Sequence, residues 1–241
     1  MIRINKYLSI CGVTSRRGAD VMISDGQVTV NGITVEKPGV MVDETRDVVM
    51  VGGIEVHPVK EQIYVALNKP RNVMTTLHDP FKRKTVRHLL KSIEQRVYPV
   101  GRLDYDAQGV LILTNDGDLA YRLAHPKYRV TRIYEVKVAG RFTAVDAAAI
   151  RKGIKLDDGK TGRAAQVSIL GMNQRTSRVR LVLMEGRKRE VKQLCAKVGH
   201  AVLVLVRVEF AGITLKGLRT GQWRYLSTTE VASLRKLVSL E

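Results

Sequence analysis

The run Gly109-Val110-Leu111-Ile112-Leu113-Thr114 sets the terms for this fold. Four consecutive large apolar residues bounded by turn signals read as a buried strand. Charge crowds in just ahead of it. Gly101-Arg102-Leu103-Asp104-Tyr105-Asp106 places one guanidinium and two carboxylates within five residues, and Tyr98-Pro99-Val100 leads in from a further apolar stretch. Setting that much charge beside a core is costly unless the groups pair or do chemistry. An Asp-rich turn with Arg102 as local counter-ion accounts for these residues as well as a reactive site does.

The charge balance narrows the function. In 241 residues, 41 Lys and Arg stand against 23 Asp and Glu, a formal +18. Such a balance favours a polyanionic partner, nucleic acid or an anionic membrane. Membrane is the weaker choice. No apolar stretch approaches the length of a spanning helix, and nothing apolar follows Arg3 and Lys6 as in a signal peptide. The two cysteines, Cys11 and Cys195, form neither a zinc pattern nor a disulfide framework, which fits a reducing, cytoplasmic setting. Residues 1–60 hold seven basic and seven acidic side chains, so the remainder carries the whole excess. This asymmetry suggests two modules, 1–60 and 61–241, meeting near His57-Pro58.

Periodicity and punctuation give the coarse structure. Residues 3–10 form a short helix with Ile4, Leu8 and Tyr7 inward, and Gly12 ends it. Ser15 caps a second helix, 16–24, with Ala19, Val21, Met22 and Ile23 on its apolar face. Val28–Val30, Asn31-Gly32 and Ile33–Val35 spell a hairpin, and 40–42 and 47–51 offer further strands. Strands follow at 63–67 and 109–114. Helices are expected at 85–93 and, started by Asp118, at 119–123. A strand at 133–138 precedes a helix at 144–151, and 167–170 pairs with 179–183. Glu185 to Arg189 opens a helix on which Val191, Leu194, Cys195 and Val198 form the core stripe, with Lys188 and Lys192 on a neighbouring one. A strand at 201–210, a turn at 220–224 and a helix at 228–237 close the chain. Strands and short helices mix without regular alternation, which indicates α+β.

The residues offer several chemistries. Arg16 and Arg17 sit in the first turn of a helix, where a phosphate binds well, although two solvated arginines explain them equally. Gly159-Lys160-Thr161 lacks the earlier glycine of a phosphate loop, Ile154 standing in its place, and Asp157 and Asp158 would repel phosphate. Asp104 with Asp106, and Asp116 with Asp118, could hold magnesium for phosphodiester cleavage. However, Asp116-Gly117-Asp118 is more simply a turn and a helix cap, and no His or Glu cluster completes a metal site. A single carboxylate held ionised by a cation could act instead as nucleophile or base at a sugar carbon. Composition does not choose between Asp104 and Asp106.

Two resemblances bear on that choice. Arg3-Ile4-Asn5-Lys6-Tyr7-Leu8, Ser15-Arg16-Arg17, Asp25 to Gly32 and Asp47-Val48-Val49 resemble the S4 RNA-binding domain. The resemblance implies a small module, two helices plus short strands, that grips structured RNA with Lys6, Arg16 and Arg17 as contacts. Gly101-Arg102-Leu103-Asp104 and Gly109 to Ala120 resemble the signature of S4-bearing ribosomal RNA pseudouridine synthases. So do Arg132 to Val136, Glu185 to Lys192 and Gly217 to Leu226.

That family resemblance implies a larger, mainly antiparallel sheet domain that isomerises a flipped-out uridine in ribosomal RNA, free or in a partly assembled subunit, with neither cofactor nor metal. It implies Asp104 as the catalytic carboxylate at the ribose, Tyr134 against the target base, and Lys192 as the basic partner of Asp104. It assigns Arg102, Arg187 and Arg189 to substrate and RNA. Arginine is usual where Lys192 stands, so the bidentate fork is lost while the charge is kept. A monomer suffices for this chemistry. A non-catalytic RNA-binding or ribosome-assembly factor would share the charge and the S4-like start, but would have no need of Asp104, Tyr134 and Lys192 together.

Overall fold

The computed structural model describes residues 1–240 and divides into two compact units, the first Met1–Gln62 and the second from Ile63 onward. The first unit contains β1 (Ile2–Arg3), α1 (Ile4–Ile10), α2 (Arg16–Ser24), β2 (Val28–Val30), β3 (Ile33–Thr34), β4 (Met41–Val42), β5 (Val49–Val51) and β6 (Ile54–Glu55). Ser15 begins α2 by accepting a hydrogen bond from the Gly18 amide at 3.0 Å. Ile4, Tyr7, Leu8, Ala19 and Ile23 pack on Val28, Val42 and Val49. The expected apolar face of α2 needs one correction. Val21 is 59% exposed, because it lies on the far side of the helix from the Ala19 and Ile23 stripe. The hairpin turns on Asn31 and Gly32, whose positive φ angles of 50° and 79° suit a tight two-residue connection.

The second unit is built on a large sheet. Its elements are β7 (Tyr64–Lys69), β8 (Tyr98–Pro99), β9 (Gln108–Thr114), α3 (Gly117–Ala124), β10 (Arg132–Ala139), α4 (Ala144–Lys152), β11 (Ile154–Lys155), β12 (Thr161–Gly162), β13 (Gln166–Met172), β14 (Thr176–Leu183), α5 (Glu190–Lys197), β15 (Val202–Phe210), β16 (Ile213–Thr214), β17 (Trp223–Tyr225) and α6 (Thr228–Leu237). The strand order is β13-β14-β10-β15-β9-β7-β17, with β16 on β15 and β8 on β9. The pairing of β9 with β15 is parallel; its neighbours are antiparallel.

The apolar run 110–113 is explained by two cores. Leu111 and Leu113 of β9 join one core with Val136, Val138, Ala147, Ile150 and Leu194. Val110 and Ile112 join another with Leu119, Leu123, Phe210 and Leu234. The strand is buried on both faces by helices from opposite sides, so no position alternates to polar. Together the two units make the α+β architecture expected.

Four local expectations are corrected. The helix expected at 85–93 is a single 3-10 turn, Val86–Leu89. Val86, Leu90 and Ile93, although spaced as on a helix, are buried by this turn and the one after it without a continuous helix. The cap of α3 is Asp116, whose Oδ1 accepts from the Leu119 amide at 3.0 Å, and Asp118 sits in the first turn. The residues 185–189 do not open α5. Arg189 takes a left-handed conformation (φ 53°) and the helix starts at Glu190, so Lys188 does not share a helical stripe with Lys192. The end of the expected turn at 220–224 is instead the edge strand β17, paired with β7. Among the described residues, no helix is long and apolar enough to cross a membrane.

Candidate active site

The charged loop before β9 is held in place largely through backbone carbonyls. The Thr75 hydroxyl donates to Leu103 O at 2.6 Å and accepts from the Leu103 amide at 3.3 Å. The Asn72 amide donates to Tyr105 O at 2.7 Å. Leu103 and Ala107 turn into the core. Beneath the loop lies Lys69, the last residue of β7 and fully buried. Its ammonium donates to Pro70 O and Ala107 O, both at 2.9 Å. The carboxylates of Asp104 and Asp106 are thereby turned away from the apolar core that their loop covers.

Burial pushes the Lys69 ammonium down to about 8, against the pull of Asp106 and Asp104. The unfolded chain therefore binds more protons than the folded one between about pH 8 and the ordinary lysine value of 10.5. Stability from this group is lowest below pH 8 and rises as pH increases through that window, by on the order of 3 kcal/mol. Urea unfolding between pH 7.5 and 10.5 should show this rise in the native protein and lose it in Lys69→Met. Parallel curves for the two proteins would mean that Lys69 is not strained by its burial.

The two carboxylates have different surroundings. Lys192 Nζ, carried on the first turns of α5, donates to the two Asp106 oxygens at 2.5 and 2.7 Å. It stands 3.7 Å from Asp104 Oδ2. The lysine therefore grips Asp106 and reaches Asp104, the partner that the resemblance implies, as a longer ion pair. The Lys192 ammonium holds the Asp106 carboxyl below the usual carboxylate range. A cavity opens beside them, lined by Arg102, Asp104, Tyr134, Arg187, Arg189 and Glu190 among others. Asp104 is part of its wall; Asp106 and Lys192 are not. Tyr134 is 8% exposed and comes from β10, between Leu181 of β14 and Arg207 of β15.

Two of the residues that line this cavity carry a buried polar atom with no partner. Arg187 Nε pairs with Glu185 Oε2 at 3.1 Å, while its Nη1 is buried without a partner. Glu190 Oε2 accepts from the Arg187 amide at 3.0 Å, and its Oε1 is buried and unpaired. Burial raises the Glu190 carboxyl above its ordinary value. Buried polar atoms of this kind are seldom left without partners in folded proteins.

A family model described as RNA pseudouridylate synthase matches residues 63–197, and one described as the S4 domain matches residues 2–49. The chain belongs to the RNA pseudouridylate synthase family. It is 42% identical to the ribosomal large subunit pseudouridine synthase B of Bacillus subtilis, over 98% of this chain and 97% of that protein. It is 41% identical to an uncharacterized RNA pseudouridine synthase of Aquifex aeolicus, over 100% of this chain and 96% of that one. A solved structure described as a pseudouridylate synthase shares the fold, with a TM-score of 0.68 at 24% identity over 97% of this chain and 100% of its own.

The residues foreseen for this pseudouridylate synthase fall into two groups. Asp104, Tyr134, Arg102, Arg187 and Arg189 meet at the cavity, and Lys192 stands behind it. Lys6, Arg16 and Arg17 belong to the first unit, where Arg16 and Arg17 are exposed at the start of α2. Cys195 is a core residue, as expected, with its thiol pushed up to about 12 by burial. Lys69, Thr75 and Glu190 were missed. A lysine directly before proline at the end of an apolar strand was the available signal for Lys69, while nothing local marks Thr75.

Arg132 and Arg207 are two further arginines of the synthase with structural tasks. Both are buried, and their guanidinium carbons lie 5.1 and 4.6 Å from the centre of the Phe210 ring. Arg132 donates to Val130 O and Leu123 O, and Arg207 to Val110 O. Among the described residues, no three His, Cys, Asp or Glu side chains gather as a metal site.

Proposed function

We propose that this synthase isomerises a uridine of ribosomal RNA to pseudouridine, with Asp104 acting at the ribose. The observation that carries this reading is the cavity wall. Of the two neighbouring carboxylates, Asp104 faces the space that Tyr134 lines, while Asp106 lies outside it under Lys192. Asp106 and Lys192 then form a support pair, which sets the lysine ammonium 3.7 Å from Asp104 Oδ2. Tyr134 offers a ring face against which a flipped base can rest.

In the reaction the N1–C1′ bond of uridine breaks and a C5–C1′ bond forms. A proton leaves C5 and another is gained at N1. Nothing is oxidised or reduced, so the balance requires neither a cofactor nor a second substrate. Asp104 supplies the carboxylate at the ribose while the base is detached and turned. The unpaired Arg187 Nη1 and exposed Arg102 and Arg189 supply donors for the phosphates and carbonyls of a flipped nucleotide. Lys6, Arg16 and Arg17 give the first unit its RNA contacts. Residues 1–60 are neutral overall, so placement rather than bulk charge supplies the grip.

The substrate is tested with transcripts labelled with tritium at uridine C5. The native protein is incubated with large-subunit RNA, small-subunit RNA and a transfer RNA pool, each also offered in partly assembled form where one exists. Release from a ribosomal RNA and not from transfer RNA is the expected result. Release from transfer RNA alone would overturn the ribosomal assignment.

A further inference from the structure

A second cleft, of about 430 Å³, adjoins the Asp104 cavity and shares Glu185 with it. Arg129 comes from the turn after α3, Arg151 from the last turn of α4 and Arg163 from the segment after β12. Three guanidinium groups from three separate parts of the second unit thus line one space. All three are exposed. None of these side chains has a hydrogen-bonding or ion-pairing partner among the described residues. The one carboxylate in the wall, Glu185, is already paired with Arg187. The cleft therefore presents three uncompensated positive charges.

The backbone supplies an independent observation. Arg129 closes the short turn Pro126–Tyr128 in a left-handed conformation, φ 50° and ψ 37°. Glycine or asparagine takes this position more easily, and an arginine there costs about 1 kcal/mol. The strain is tolerated at a residue whose guanidinium has no partner in the chain. The rest of the lining is Pro126, Ala164, Ala165, Met184 and Glu185, with no aromatic ring. A site that read bases would want stacking surfaces. Arginines without rings suit phosphodiester groups, which they contact through paired N–H donors irrespective of sequence.

We propose that this cleft holds the phosphodiester backbone of the RNA strand flanking the nucleotide in the Asp104 cavity. The proposal rests on the RNA-isomerase reading for the direction of the strand, but its binding can be measured without catalysis. Each phosphate contact releases counterions. Losing three contacts to a single strand should therefore make the slope of log affinity against log salt less negative by about 2.

The probe is a fluorescein-labelled 20-nucleotide oligouridylate, titrated with the full-length protein by anisotropy from 50 to 200 mM KCl. Four proteins are compared. They are the native chain, Arg129→Gln/Arg151→Gln/Arg163→Gln, the same three positions changed to Lys, and Arg175→Gln/Lys216→Gln/Lys236→Gln. The last removes three exposed charges outside the cleft. The glutamine triple variant should lose about 2 from the slope, so its disadvantage shrinks roughly 20-fold across this salt range. The lysine variant and the distal control should keep the native slope. Single Arg→Gln variants, each expected to lose about 0.7, serve if the triple variant does not fold.

A native slope in the glutamine variants of the cleft, or an equal loss in the distal control, would overturn the proposal. Tritium release by the same proteins separates the two readings. The glutamine variants of the cleft should raise KM and leave kcat unchanged. A native protein that binds with the expected slope but releases no tritium would defeat the isomerase reading and leave the cleft assignment standing.

Discussion

Gly109→Ala should destabilise the chain by about 3 kcal/mol or more, among the largest effects available to a single methyl group. Gly109 has a φ of 122°, a conformation that side chains rarely adopt. An added Cβ would stand 2.1 Å from Arg207 O and 2.7 Å from Arg207 N. Both are backbone atoms, so no rotamer change relieves the clash and β15 itself must move. This is where β9 and β15 run parallel, with Arg207 beside Gly109. Moving β15 would also draw the buried Arg207 guanidinium from Val110 O. Urea unfolding measures the cost directly. A variant within about 0.5 kcal/mol of native, as for an ordinary surface substitution, would show that the strands do not approach so closely.

Asp104→Asn should lower kcat by roughly four orders of magnitude or more, the scale expected when a group that attacks or deprotonates substrate is lost. The same change should cost little stability. Among the described residues the Asp104 carboxylate has no closer hydrogen bond or ion pair than the 3.7 Å contact with Lys192, and the amide is nearly isosteric. RNA affinity should not fall, because a negative charge is removed from a site that receives a polyanion. Asp106→Asn makes the contrast. It removes the closer partner of Lys192 but leaves a carboxylate in the cavity wall, so activity should drop by about 10- to 100-fold, the cost of a loosened supporting contact. Loss of RNA binding together with activity in Asp104→Asn would mark this residue as structural instead.

Local signals were legible and non-local ones were not. The helix 16–24 was readable to the residue because Ser15 caps it and Gly26 follows it. The closing helix 228–237 was likewise readable. The continuous apolar run of β9 announced a buried strand. By contrast, the parallel partnership of β9 with β15 joins residues about a hundred positions apart, and no local pattern encodes it. The late start of α5 follows from the left-handed Arg189, in a motif whose charges look compatible with a helix.

At the site, the resemblance selected Asp104 and Tyr134, and the cavity brings them together. What it did not convey is that Lys192 holds Asp106 more closely than Asp104. Nor did it reveal Lys69, whose task of tying the loop carbonyls depends on a chain crossing that only the folded sheet creates.

The measurement that bears most directly on the central claim is single-turnover tritium release from ribosomal RNA labelled at uridine C5. The native protein, Asp104→Asn and Asp106→Asn are compared at equal RNA occupancy. The expected result is release by the native protein, slower but measurable release by Asp106→Asn, and none by Asp104→Asn. Release by Asp104→Asn at the native rate, or silence in Asp106→Asn alone, would contradict the assignment of the reacting carboxylate to Asp104.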